Sequence, residues 1–85
     1  MATVVIKKSA MRVLRRMDRT TAERITTALG KLEEDPDRRD LDVKALKVKQ
    51  AYRLRIGRTW RVIFERAGDM ITVQDIRPRG QAYRR

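Results

Sequence analysis

The sequence predicts an α+β fold in the order β-α-α-β-β-β, a small antiparallel sheet packed against a two-helix hairpin, in one domain spanning residues 1–85. Three observations carry this. Apolar residues recur at helical spacing between Ala10 and Leu32 and at every second position from Tyr52 onward, the two periods of helix and strand. A polar stretch containing Pro36 divides the two regimes. The chain of 85 residues suffices for one core and leaves no room for a separate cofactor-binding domain.

Taken in order, Thr3 to Ile6 is rich in β-branched residues and reads as a first strand. Ser9 is placed to cap a helix whose inward stripe is Met11, Leu14 and Met17, or Ala10, Val13 and Met17. Thr20 and Glu23 stand at capping-box spacing before Ala22, Ile25, Ala28, Leu29 and Leu32, which predicts a second helix. That helix ends by Asp35, because Pro36 disfavours helix in the residue before it. Asp35 to Asp42 reads as a charged loop. From Val43 strand-like alternation takes over, with turns at Gly57-Arg58-Thr59 and Arg66-Ala67-Gly68-Asp69 and a last strand from Met70 to Ile76.

The hairpin from Tyr52 to Glu65 is the candidate site. In a strand, residues two apart share a face, so Tyr52, Leu54 and Ile56 fall together, as do Trp60, Val62 and Phe64. Arg53, Arg55 and Arg61 therefore converge on the reverse side. Guanidinium groups are planar, permanently charged and able to grip phosphate oxygens in pairs, so three on one surface form an anion cradle. Exposed strand faces are also charged merely to keep sheets soluble and their edges apart.

Composition points the cradle at nucleic acid. Lys plus Arg number 22 against 11 acidic residues, a formal net charge of +11 with pI near 11.3. Residues 1–50 carry 13 basic and 8 acidic side chains, and residues 51–85 carry 9 and 3, so the second segment is the purer cation. Cysteine and histidine are both absent, which removes disulfides, thiolate metal sites and the commonest proton-transfer group near neutral pH. No cofactor or metal is expected. No apolar run approaches the roughly 18 residues of a membrane span, and no secretion signal opens the chain, so a cytoplasmic protein without membrane contact is expected. On the first helix Lys7, Lys8, Arg12, Arg15 and Arg16 either touch RNA or face water.

The carboxyl-terminal segment is the second concentration of interest. Arg77, Arg79, Arg84 and Arg85 surround Tyr83, and both tyrosine rings and arginine planes stack on unpaired bases. A basic tail is the ordinary alternative.

Leu46, the run Tyr52 to Gly57, the run Trp60 to Glu65, Val73 to Ile76, Arg79 and Tyr83 together resemble the RelE/ParE superfamily of type II toxins, over essentially the whole chain. The resemblance implies a RelE-like fold and a neutralising antitoxin partner, in an arrangement open to a heterotetramer. In its RelE-like branch it implies a ribosome-dependent mRNA interferase, an endoribonuclease that cuts messenger RNA in the ribosomal A site and so inhibits translation. Carried over by position, it assigns Arg53, Arg55, Arg61, Arg79 and Tyr83 to catalysis. Lys47, Lys49, Arg58, Arg77 and Arg84 are the neighbouring cations expected to hold RNA. The implied chemistry is attack by a ribose 2′-hydroxyl on the adjacent phosphate, for which the protein supplies charge stabilisation rather than a nucleophile.

One departure matters. Some members carry lysines where this chain has Arg53 and Arg55, and a guanidinium, unlike a desolvated amine, does not take up a proton on demand. Tyr83 then becomes the candidate acid or base, with Lys47 or Lys49 as substitutes. Two other classes stay open on sequence: a gyrase-poisoning toxin of the ParE kind, and a non-catalytic basic RNA- or ribosome-binding module. The presence of Arg61, Arg79 and Tyr83 together favours the nuclease. A disordered acidic and apolar antitoxin segment that folds on binding fits the charge.

Overall fold

In the computed structural model, which describes residues 1–48 and 50–78, the chain runs β1 (Thr3–Ile6), α1 (Lys8–Arg16), α2 (Arg19–Glu34), β2 (Asp42–Ala45), β3 (Ala51–Ile56), β4 (Trp60–Ala67) and β5 (Met70–Pro78). The five strands form one sheet in the order β1-β5-β4-β3-β2. The expected α+β architecture is present, with two differences. The sheet is mixed rather than antiparallel: β2 to β5 form an antiparallel meander, but β1 pairs in parallel with β5, Val4 opposite Ile71 and Ile6 opposite Val73. The cause is the crossover, since the two helices carry the chain from one sheet edge to the other and the meander ends on β5, beside β1. The second difference is that four strands follow the helices, not three. Val43 lies in its own short strand, because the chain turns before Ala51 through Gln50, held at φ 64.

Helix starts also depart from the sequence reading. Ser9 does not cap α1; the helix begins after Lys7, with no side-chain cap, while the Lys7 amide still donates to the Val73 carbonyl at 3.0 Å. The strand's end therefore dictates where the helix begins. The cap of α2 is Asp18 rather than Thr20: its carboxylate accepts the Thr21 amide at 3.0 Å and the Thr21 hydroxyl at 2.7 Å. At the other end Asp35 terminates α2 as expected, its amide donating to the Lys31 carbonyl.

These carboxylates set a pH dependence. Hydrogen bonds from Thr21 hold Asp18 below the usual carboxylate range, the Arg66 guanidinium does the same for Asp37, and Arg38 does so for Asp40. A depressed folded-state pKa contributes stability that is present above the unfolded value and lost as pH falls through the folded one. With no histidine in the chain, the melting temperature is expected to stay level from about pH 5 to 8 and to fall below about pH 4, where these groups begin to protonate. Asp18→Ala lowers the melting temperature at neutral pH and flattens the acid decline; identical acid profiles for the two proteins would remove the cap from the account.

The core lies between the helices and one face of the sheet. Ile25, Leu29 and Leu32 of α2 and Ala10 of α1 meet Leu54, Val62, Phe64, Ile71, Val73 and Ile76, all buried. Val13, Leu14 and Met17 pack at its margin, as the helical period predicts. No described helix is long and apolar enough to cross a membrane.

Candidate functional site

The helices occupy one sheet face, and alternation sends a different set of side chains to the other. Register makes that set a pattern. Asp42 pairs with Arg55, Arg55 with Arg61, and Arg61 with Arg77, so one line perpendicular to the strands reads Asp42, Arg55, Arg61, Arg77. The neighbouring line reads Lys44, Arg53, Ile63, Asp75. Strands lie about 4.8 Å apart, so three guanidinium groups rise from adjacent backbones with a fourth beside them.

A β-bulge is responsible for the fourth strand's contribution. Ile71 and Val73 point into the core, and unbroken alternation would send Asp75 and Arg77 there too. Between Ile63 and Phe64 the pairing shifts, from Asp75 opposite Ile63 to Val73 opposite Phe64, leaving Gln74 as the extra residue on β5. Parity flips at that point. Ile76 turns inward, fully buried, and Arg77 joins Arg61 on the outer face.

Like charges directly opposite one another destabilise a sheet, and two carboxylates offset part of that here. Asp42 accepts from Arg53 Nη2 at 3.2 Å and lies 3.5 Å from Arg55 Nε. Asp75 accepts from Arg77 Nε. Arg61, in the middle, has no carboxylate partner among the described residues. Its Nη1 donates to the Trp60 carbonyl at 3.4 Å, and its Nε is buried without any hydrogen-bond partner. Although alternation puts Arg61 on the face away from the helices, it is only 5% exposed. It stands between Arg55 and Arg77 on the adjacent strands, and those two remain half open to solvent. A buried guanidinium with an unmet donor is costly to the fold and attractive to any anion that reaches it.

The structure thus brings together Arg53, Arg55, Arg61 and Arg77. Arg58 sits in the β3–β4 turn, next to the Arg55–Arg61 pair; Gly57 before it has φ +60, and a Cβ there would lie 3.4 Å from Arg24 Nη2, so the turn and α2 fit closely. Lys47 lies in the β2–β3 connection at the opposite end of β3 and does not join the row, because Ala45 and Tyr52 are the last pair before that connection. Lys49, Arg79, Tyr83 and Arg84 lie outside the described residues. The sequence reading missed Lys44, Asp42 and Asp75. Asp42 was read as the end of a loop, and only the pairing register reveals that it faces two arginines.

No protein-family model matches the chain, and no curated protein matches its sequence. Solved structures do. The RelE–RelB complex from Pyrococcus horikoshii aligns with a TM-score of 0.80 at 27% identity, covering 94% of this chain and 97% of that one. The RelB–RelE antitoxin–toxin complex from Methanococcus jannaschii gives 0.77 at 22% identity, over 93% and 94% of the two chains. The isolated E. coli RelE toxin gives 0.76 at 15% identity, over 98% and 92%. At the two lower identities the likeness is one of fold.

Proposed function

We propose that this chain, a RelE-like protein, is the toxin of a toxin–antitoxin pair and acts as an endoribonuclease on messenger RNA held in the ribosomal A site. The reading is supported above all by the cross-strand row of Arg55, Arg61 and Arg77, flanked by Arg53, on the sheet face opposite the helices. The neighbours of similar fold are solved as toxin–antitoxin complexes, which supports an antitoxin as partner.

The chemistry suits such a surface. The ribose 2′-oxygen attacks the adjacent phosphorus as its proton departs, the bond from phosphorus to the 5′-oxygen breaks, and that oxygen leaves as a hydroxyl once protonated. A cyclic phosphate remains on the upstream fragment. Negative charge grows on the phosphoryl oxygens in the transition state, and preorganised donors that need no reorganisation are the largest single aid to such a step. Arg55 and Arg77, half open to solvent, can meet those oxygens directly, and Arg61 stands between them and adds its charge to the same place. Proton transfer falls to Tyr83, since guanidinium groups cannot perform it, with Arg79 completing the cation set.

The carboxylates described beside the arginine row, Asp42 and Asp75, are engaged by Arg53, Arg55 and Arg77, so in-line alignment of the 2′-hydroxyl by the ribosome carries much of the acceleration. The test is expression of the chain in cells with mapping of message ends, alongside purified protein incubated with naked RNA and with programmed ribosomes. Expected are early cuts within reading frames and cleavage in the ribosomal reaction at least a hundredfold faster than on naked RNA, a ratio in the range that positioning supplies. Healthy growth with intact messages would reject the nuclease, induction of DNA-damage signalling would favour a gyrase poison, and rapid turnover of naked RNA would reject ribosome dependence. Tyr83→Phe removes only the hydroxyl; undiminished cleavage in that variant would reassign proton transfer.

A further inference from the structure

Two arginines of the row are gripped in the same way from opposite ends. Asp42 Oδ2, on edge strand β2, lies 3.5 Å from Arg55 Nε, and Asp75 accepts from Arg77 Nε. Nε sits on the flank of the planar guanidinium, so a carboxylate there leaves the forked Nη end pointing onward. The Nη groups of Arg55 have no hydrogen-bond or ion-pair partner among the described residues. Asp42 does more than its counterpart. Its Oδ1 accepts from Arg53 Nη2 at 3.2 Å, so one carboxylate bridges the two outward arginines of β3.

The two contacts differ in what they do for the fold. Arg53 is 7% exposed, and a buried guanidinium needs a charged partner. Arg55 is not buried: the side chains of this second pair are 44% and 53% exposed, and ion pairs so open to water contribute little. Affinity does not account for the second contact either, because a carboxylate beside a surface that takes phosphate repels the ligand. Aspartate is moreover a poor strand former. A residue that opposes both local propensity and ligand charge marks a place where something else is gained.

We propose that Asp42 is a positioning residue for cleavage, holding Arg55 by its Nε so that the Nη fork is already aimed at the scissile phosphate. The proposal rests on the nuclease reading above. What is gained is order, since a donor in place before the reaction stabilises the transition state more than one that must be arranged during it. The bridge to Arg53 makes this possible. Arg53 is enclosed between Lys44 and Ile63 of the adjacent strands, so the carboxylate is tethered to a fixed group on one side and restrains a mobile one on the other. Register is what sets Asp42 opposite Arg55, and a slip of one residue would turn it to the helix face.

The test pairs kinetics on programmed ribosomes with side-chain dynamics, in wild type, Asp42→Asn, Arg55→Lys and the double variant. Asparagine keeps one carbonyl oxygen for the buried Arg53 and loses the second acceptor; lysine keeps a charge but has no Nε to be held. Asp42→Asn is expected to lower kcat by about 10- to 100-fold, the scale of a displacement of about 1 Å, with KM unchanged or lower because a repelling charge has gone. In the Arg55→Lys background the same change should have no further effect on kcat, since residues that act through one another are not additive. A rise in kcat/KM on Asp42→Asn, or an equal fall in both backgrounds, overturns the inference. Independently of cleavage, nitrogen relaxation should give Arg55 Nε a higher order parameter than Arg58 Nε in the exposed turn, falling below about 0.6, the flexible range, in Asp42→Asn. A wild-type Arg55 as mobile as Arg58 refutes the clamp even if the variant does not fold. Wild type that leaves ribosomal messages intact rejects the nuclease reading instead, and the relaxation data then decide the clamp alone.

Discussion

Replacing Arg61 by Met is expected to make the protein more stable and nearly inactive. The guanidinium is 5% exposed, lies between Arg55 and Arg77 on the adjacent strands, and leaves its Nε without a partner. Exchanging a buried, poorly compensated charge for an apolar side chain of similar length is commonly stabilising, by about 1–4 kcal/mol. In a domain of this size each kcal/mol raises the melting temperature by roughly 4–8 °C. Cleavage in the ribosomal assay should meanwhile fall by about 10²–10³-fold, the usual cost of one charge-stabilising donor. The paired readout separates function from folding: a melting temperature several degrees lower would mean that the guanidinium holds the sheet together, and near-normal cleavage would mean that the phosphate binds elsewhere. Stability given up at a site of chemistry is a familiar trade, and it is measurable here in one substitution.

The largest loss of stability is expected from Phe64→Ala. Phe64 is 2% exposed, is among the largest fully enclosed side chains, and stacks on Tyr52 with ring centroids 5.4 Å apart and planes 18° from parallel. Truncation should cost about 3–5 kcal/mol, out of a total on the order of 4–13 kcal/mol for a chain of this length. Urea denaturation checks it, with Phe64→Leu as a control expected to lose less than about 1.5 kcal/mol. A Phe64→Ala cost under 1 kcal/mol would place the packing centre away from this ring. Because Phe64 sits just past the shift in β4–β5 pairing, its loss also loosens the register that aligns Arg61 with Arg77, so residual activity should fall with temperature faster than in wild type.

Much of this could be read before any coordinates. Period-two alternation from Tyr52 to Phe64 correctly sorted Leu54 and Val62 from Arg53, Arg55 and Arg61, because the alternation of strand side chains is a property of the backbone alone. Apolar spacing in α2 correctly named Ile25, Ala28, Leu29 and Leu32, and Pro36 correctly bounded the helix. Caps were less legible. Thr20 and Asp18 are both good cap residues, and the choice between them depends on how the chain leaves α1.

What the sequence by itself determined is the content of each face: an apolar side that must be covered and a side lined with cations, because the alternation of strand side chains acts residue by residue. Which strands stand together was decided by the tertiary structure. β1 runs parallel beside β5, β2 takes the far edge and brings Asp42 to two arginines, and one extra residue at Gln74 swings Arg77 out of the core and into line with Arg61. Those facts depend on pairing between residues far apart in the chain, and a shift of one residue in that pairing reverses every side chain beyond it.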